Sequence, residues 1–257
     1  MVRMEEDIQI IEYKDVDLSN AMFIEAFPTV GLVSSIAGHF IIDALKLEEI
    51  GTVTSRFFMP AAVIHNGSPS PPVRIYAGKK ICGPEGTCDQ IVIIISEFML
   101  PVEIIKPLGD AILAWTKKKK CSFIVTLEGA HAVDPKKPKT HGVGSSQKMK
   151  QVLKSYGIEE TLEGMITGIT GVLLYEGTRL KRDVLCLLAE AHSSYPDSRA
   201  AAMLVETLDK MLPGIKFDVE PLYKEADEIE QKIRTFIKQA QPSAPSQYQQ
   251  LPTQMYG

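Results

Sequence analysis

The sequence predicts an α/β fold, a mostly parallel or mixed sheet sandwiched by helices, with a β-rich elaboration around residues 51–90. Three observations predict it. Five short apolar runs, "AMFIEAF", "IVIIISEF", "SFIVTLEGA", "GVLLYEG" and "VLCLLAEAH", are continuously apolar instead of alternating, the pattern of strands buried on both faces. Helical segments fall between or after them, and repeated strand-then-helix order implies a mostly parallel sheet. The chain has 257 residues, 45% of them hydrophobic and 23% charged, enough to fill one sizeable core.

In chain order, "AMFIEAF" reads as the first buried strand. "VGLVSSIAGHFIIDALKL" follows it as a helix, with Leu32, Ile36 and Phe40 on one face and Ala37 and Gly38 allowing close approach. Between Gly51 and Gln90, "TVTSRFF", "AAVIH" and "VRIYAG" are separated by Gly and Pro. They read as antiparallel strands, forming either an extension of the sheet edge or a small subdomain. "PVEIIKPLGDAILAWTKKKK" follows the second apolar run as a helix, and its basic end, Lys117 to Lys120, suits a helix C-terminus leading into a strand. "GAHAVDPKKPKTHGVG" is a loop long enough to suspect function. "SSQKMKQVLKSYG" then forms a helix closed by Gly157 as its C′ residue. "GVLLYEG" and "VLCLLAEAH" read as strands, and "PDSRAAAMLVETLDKML" as the helix after them. The last helix, "VEPLYKEADEIEQKIRTFIKQA", carries Leu222, Ala226, Ile229, Ile233 and Phe236 on one stripe. Residues 1–240 are thus one α/β domain. Residues 241–257, rich in Pro, Gln and Ser, bury too little apolar surface to order and form a flexible tail.

The net charge of −4 argues against a nucleic-acid partner, which calls for a basic face. The start "MVRMEEDIQI" is too acidic for a signal peptide. No apolar run approaches the ~20 residues that span a bilayer, so a cytoplasmic protein without membrane contact is expected. Cys121 and Cys186 lie in apolar runs as inert core. Cys82 and Cys88 flank the turn "GPEGT" and can face each other across a hairpin, but without secretory context free thiols are the expectation.

Glu25, Glu97, Glu128, Glu176 and Glu190 each sit at or near the carboxyl end of an apolar run. That is the ligand-binding edge of an open α/β sheet. Converging carboxylates there can raise one another's pKa and supply an acid/base pair. A strand's carboxyl end also leads into a helix N-terminus, where acids are favoured structurally, and that reading carries more weight. His131, Asp134 and His141 share the long loop near Glu128, yet a lysine-rich exposed loop is a poor home for a divalent cation, so no metal is expected. His39 and His65 read as partly buried structural histidines. "GVGSSQK" fits no phosphate motif, and "GITG" (168–171) precedes what reads as a strand, the wrong order for a phosphate loop. No G-x-S-x-G elbow appears. No cofactor and no catalytic signature are identified.

The segments "FPTVGLVSSIAGHFI", "TGITGVLLYEGTRLKRDVLCLLAEAHSSYPDSRAAAMLVETLDKML" and "DVEPLYKEADEIEQKI" together resemble the proteasome-assembly-chaperone family in its archaeal form. The resemblance implies a phosphorylase/hydrolase-like α/β fold and a non-enzymatic role: binding 20S proteasome α subunits as an assembly chaperone, or as an ATP-independent cap or adaptor. It also implies a docking tripeptide of the hydrophobic-Tyr-any type, here Met255, Tyr256 and Gly257. Gly257 adds no side chain, which leaves Met255, Tyr256 and the carboxylate to make contact. Burying Met and Tyr gives about 1.5–3 kcal/mol each, and a paired carboxylate roughly 1.5–3 more. Ordering the segment costs about 2–5 kcal/mol, so a single tail binds at roughly millimolar strength. Several tails on one assembly gain about 10²–10⁴ in avidity. Docking therefore calls for a homo-oligomer, a tetramer or pentamer. The alternative class is a small-molecule hydrolase or ligase that uses the strand-end carboxylates.

Overall fold

A computed structural model describes residues 7–65, 67–83, 86–132 and 138–240. The central strands are β2 (Met22–Ala26), β7 (Cys88–Ser96), β8 (Phe123–His131) and β11 (Val184–Ala191). They run parallel, β7 and β8 flanking β2 and β11 lying beside β8. Every residue of β2 and β11 is buried, which is why these runs are apolar without alternation.

Antiparallel strands extend the sheet on both sides. β6 (Val73–Cys82), β3 (Glu48–Thr54) and β1 (Gln9–Glu12) continue it beyond β7. On the other side β9 (Thr140–Gly144) pairs antiparallel with β11, and the two-residue β10 (Glu159–Glu160) pairs with β9. The β-rich stretch around 51–90 is thus mainly the sheet edge. A separate ribbon, β4 (Val63–His65) and β5 (Ser68–Ser70), stands outside it. Cys82 and Cys88 lie directly opposite in the β6–β7 hairpin, 4.9 Å apart at Cα, and are disulfide-bonded. The free thiols expected from the sequence are corrected here, because strand register brings the two residues within bonding reach.

Helices cover both faces. On one lie α1 (Val33–Leu45), α3 (Gln147–Ser155), α5 (Ser198–Asp209) and α6 (Glu220–Ala240); on the other α2 (Val102–Lys118) and α4 (Gly168–Leu180). Alternation along β7 serves both layers: Ile91, Ile93 and Ile95 pack under α1, and Val92 and Ile94 under α2. Local signals hold the ends. Asp197 caps α5 by accepting from the Ala200 N–H at 2.9 Å, Ser146 caps α3, and Gly157 (φ +65°) closes α3. Lys119, past the end of α2, pairs with Glu12 at 2.5 Å.

One expected strand is a helix. "GVLLYEG" lies inside α4, where Ile169, Val172 and Leu173 are buried three and four positions apart. A short apolar run suits either structure, and here the helical spacing of its upstream neighbour Ile169 decides. The "GITG" segment accordingly opens a helix instead of preceding a strand.

The turn Val30–Leu32 lies so close on β8 that a Cβ at Gly129 would stand 2.1 Å from the Val30 carbonyl oxygen. Backbone on backbone cannot yield cheaply. Gly129→Ala should therefore lower stability by roughly 1–3 kcal/mol in urea denaturation; unchanged unfolding would show that this turn is not pinned to the strand.

Candidate functional site

The period of two along β2 and β8 turns Glu25 and Glu128 toward the α2/α4 layer, together with Phe23 and Ile124. Glu25 is fully buried. Its Oε1 accepts from the Phe27 N–H at 2.9 Å, and its Oε2 accepts from the Thr170 hydroxyl at 3.2 Å. Thr170, in the first turn of α4, also lies beside Glu128. Its single hydroxyl proton goes to Glu25, and two neighbouring buried carboxyls are easiest to accommodate when one of them is itself protonated. Burial, and then the neighbouring Glu128 charge, push Glu25 up to about 8; burial pushes Glu128 up to about 7. The pair holds a proton near neutrality and ties β2, β8 and α4 at one point.

This point lies where β7 and β8 diverge to either side of β2, the crevice position of open α/β sheets. A cavity of about 180 Å³ stands above it, walled by Phe27, Pro28, Leu100, Ile105 and Ile169, with Glu128 as its charged lining residue. Pockets for drug-sized ligands run from about 300 Å³ upward. The N-terminus of α4 opens here, but the two carboxyls already occupy the place an anion would take. The thiol of Cys186 behind them is buried and pushed above the ordinary thiol range, so it is no nucleophile.

The other three glutamates do not join them. Glu97 faces the α1 layer, where it pairs with buried Arg74 and lies 3.2 Å from His39 Nε2; the His39 bond, with help from Arg74, holds its carboxyl below the ordinary range. Glu176 sits in a helix, not at a strand end, and is bound by Arg179 at 2.6 Å and Lys106 at 3.2 Å. Glu190 accepts from the Lys139 N–H at 3.1 Å and lies 3.7 Å from His141. His141 therefore meets Glu190, not Glu128, and Asp134 falls outside the described residues. Among the described residues no group of three or more His, Cys, Asp or Glu is placed to hold a metal. The tripeptide Met255, Tyr256 and Gly257 also lies outside the described residues. No described helix is long and apolar enough to cross a membrane.

A larger feature escaped sequence reasoning. Between α4 and the β9–β11 side of the sheet runs a groove of about 990 Å³. Leu162 and Met165 on its wall are 86% and 87% exposed. They belong to "TLEGMITG", a stretch without helical or strand period, so the available signal was two large apolar residues in a Gly-containing loop.

The raised carboxyls make stability depend on pH. From the ordinary glutamate value of 4.5 toward about 8, the unfolded chain gives up its proton while the folded chain keeps it. The advantage of the protonated pair is complete at low pH and lost as pH rises through the folded value. Glu25→Gln, neutral and of the same shape, should flatten the fall in unfolding free energy between about pH 5 and about pH 8. Denaturation series that run parallel for both proteins would show that the pair does not titrate in this window.

Residues 23–237 match the model of the PAC2 family. The uncharacterized protein MJ0106 of Methanocaldococcus jannaschii is 32% identical over 236 residues, spanning 92% of this chain and 93% of that protein. Among solved structures, Pyrococcus furiosus PbaA, an archaeal homolog of proteasome-assembly chaperone, is 33% identical over 91% of this chain and 92% of its own, with a TM-score of 0.77. Pyrococcus furiosus PbaB, an archaeal proteasome activator, covers 90% of this chain and 99% of its own at 21% identity and a TM-score of 0.77, a likeness of fold. With a family match across most of its length and a relative of nearly equal extent, the chain belongs to the PAC2 family.

Proposed function

We propose that this chain is a non-enzymatic proteasome-binding protein, an assembly-chaperone homologue or an ATP-independent cap or adaptor, that docks on the 20S α ring through its C-terminal tail. The observation that carries the reading is the match to PbaA, 33% identical over 91% of the chain at a TM-score of 0.77. The strand-end carboxylates fit a structural role beside it. Glu25 and Glu128 hold α4, Glu97 and Glu176 are neutralised by Arg74, Arg179 and Lys106, and the buried Cys186 thiol supplies no nucleophile.

The body supports a projecting tail. α6 runs antiparallel to α5, with Arg199 near the start of α5 meeting Asp227 and Glu230. Residues 231–240 therefore extend α6 about 15 Å past those contacts, beyond the carboxyl edge of the sheet where α5 begins. Residues 241–257 add roughly 20–50 Å of reach. A single tail is weak, so the reading includes a homo-oligomer that presents several.

The test compares the intact protein with one lacking residues 255–257, by native mass spectrometry against purified archaeal 20S particles and free α subunits. Intact protein should bind, and the shortened one should lose about 10²-fold or more in affinity at unchanged oligomer mass. Equal binding by both would overturn tail docking. No binding of intact protein to either target would overturn the proteasome reading itself.

A further inference from the structure

Two carboxyls meet at the crevice with no cation to balance them. Glu25 comes from β2 and Glu128 from β8, and among the described residues no lysine, arginine or histidine stands beside either. The groups that face the pair are the Thr126 and Thr170 hydroxyls, the Cys186 thiol and the Phe27 N–H. From α2 only the apolar Ile105 reaches this place. Acids withdrawn from water are ordinarily matched by a base, and among the described residues the fold supplies none.

Thr126 is fully buried, and its hydroxyl finds no hydrogen-bond partner. The Cys186 thiol beside it is a weak one at best. Thr126 stands opposite Glu25 across the β2–β8 ladder and two residues before Glu128 on the same face of β8. Its hydroxyl is therefore aimed at the ground between the two carboxyls. An orphaned hydroxyl at this depth calls for an explanation, and it marks a polar contact that the chain itself does not complete.

The cavity above, of about 180 Å³, lies between the turn after β2, the loop after β7 and the start of α4. An apolar cavity of roughly 150 Å³ accepts a benzene ring, so this one admits about six to eight non-hydrogen atoms. The Thr29 hydroxyl at its rim is already engaged by Ser34 and by the Gly129 N–H, which leaves Glu128 as the polar group able to orient a guest. We propose that this crevice binds a small organic cation, its primary ammonium against Glu128 and its apolar body against Phe27, Ile105 and Ile169. The ammonium takes the place of the proton held by the pair: one cation enters, and one proton leaves the carboxyl for solvent. The N-terminus of α4 favours the ionised carboxyl that the ammonium needs. Apolar walls suit an organic cation and offer a bare metal ion too few oxygens. The inference goes beyond proteasome binding and does not depend on it.

The probe is n-pentylammonium, with pentan-1-ol and pentanoate as neutral and anionic analogues of the same length, each titrated calorimetrically into the full chain. Pentylammonium should bind saturably at about millimolar strength, roughly tenfold or more tighter than either analogue. Glu128, with its carboxyl at about 7, goes from about one-tenth to about nine-tenths ionised between about pH 6 and about pH 8, so affinity should rise about tenfold over that range. Glu128→Gln, neutral and of the same shape, should lose about tenfold or more in affinity. Ile105→Trp fills the cavity without touching either carboxyl and should also lose binding, with thermal unfolding verifying that both variants fold. Equal binding of pentan-1-ol would reduce the site to an apolar void and overturn the proposal. Tightest binding of pentanoate would assign the crevice to anions instead. No saturation below about 50 mM, or wild-type affinity in Glu128→Gln, would overturn it as well.

Discussion

The constraint on which the rest of the structure depends is that four parallel strands are buried on both faces. The buried stretches of β7, β2, β8 and β11 are mostly apolar on both faces, so each face needs its own helical layer. Crossing from β7 to β8 over β2 places α2 on one side, where α4, leading into β11, joins it, and leaves α1 to share the other with α3, α5 and α6. The buried exceptions to apolarity then become costly unless they are bonded. Glu25 is the extreme case. It is tolerated because its two oxygens are taken by the Phe27 N–H and by Thr170, and because it can keep a proton. The same bonds fix where α4 begins, and α4 in turn forms one wall of the groove.

Most of the fold was legible because burial on two faces leaves a direct mark in sequence. Strands β2, β7, β8 and β11 stand out as apolar runs, and helices α1, α2, α3, α5 and α6 lie where the sequence places them, although α1 buries Val33, Ala37 and Ile41 instead of the expected stripe, leaving Leu32 exposed and Ile36 and Phe40 half-buried. α4 was misread because "GVLLYEG" is apolar over a length that suits either element. Its helical partners Ile169 and Thr170 lie upstream among glycines. That error also misplaced Glu176, whose carboxyl belongs to a helix surface with Lys106 and Arg179. Which strand-end glutamates meet is a tertiary fact. Glu25 and Glu128 meet because odd and even positions happen to face the same layer, whereas Glu97, just past the end of β7, points to the opposite one. The Cys82–Cys88 bond follows from register, which residue counts around a turn indicate and do not fix.

Two kinds of surface chemistry divide the molecule. In the proposed docking, residues 241–257, which carry no charged side chain, would present Met255 and Tyr256 as apolar anchors, a composition suited to narrow pockets that read side chains. The groove beside α4 is acidic at its rim and broad, so it does not select for the same features.

The proposed docking sets a condition on symmetry. Under cyclic symmetry every copy of α6 would point to the same side of an assembly, and all the tails would emerge on one face. A two-fold axis perpendicular to that one would send half of them the other way. Weak tails gain avidity only when they reach one target together. Tail docking on a ring-shaped partner therefore calls for cyclic symmetry and not only for several copies.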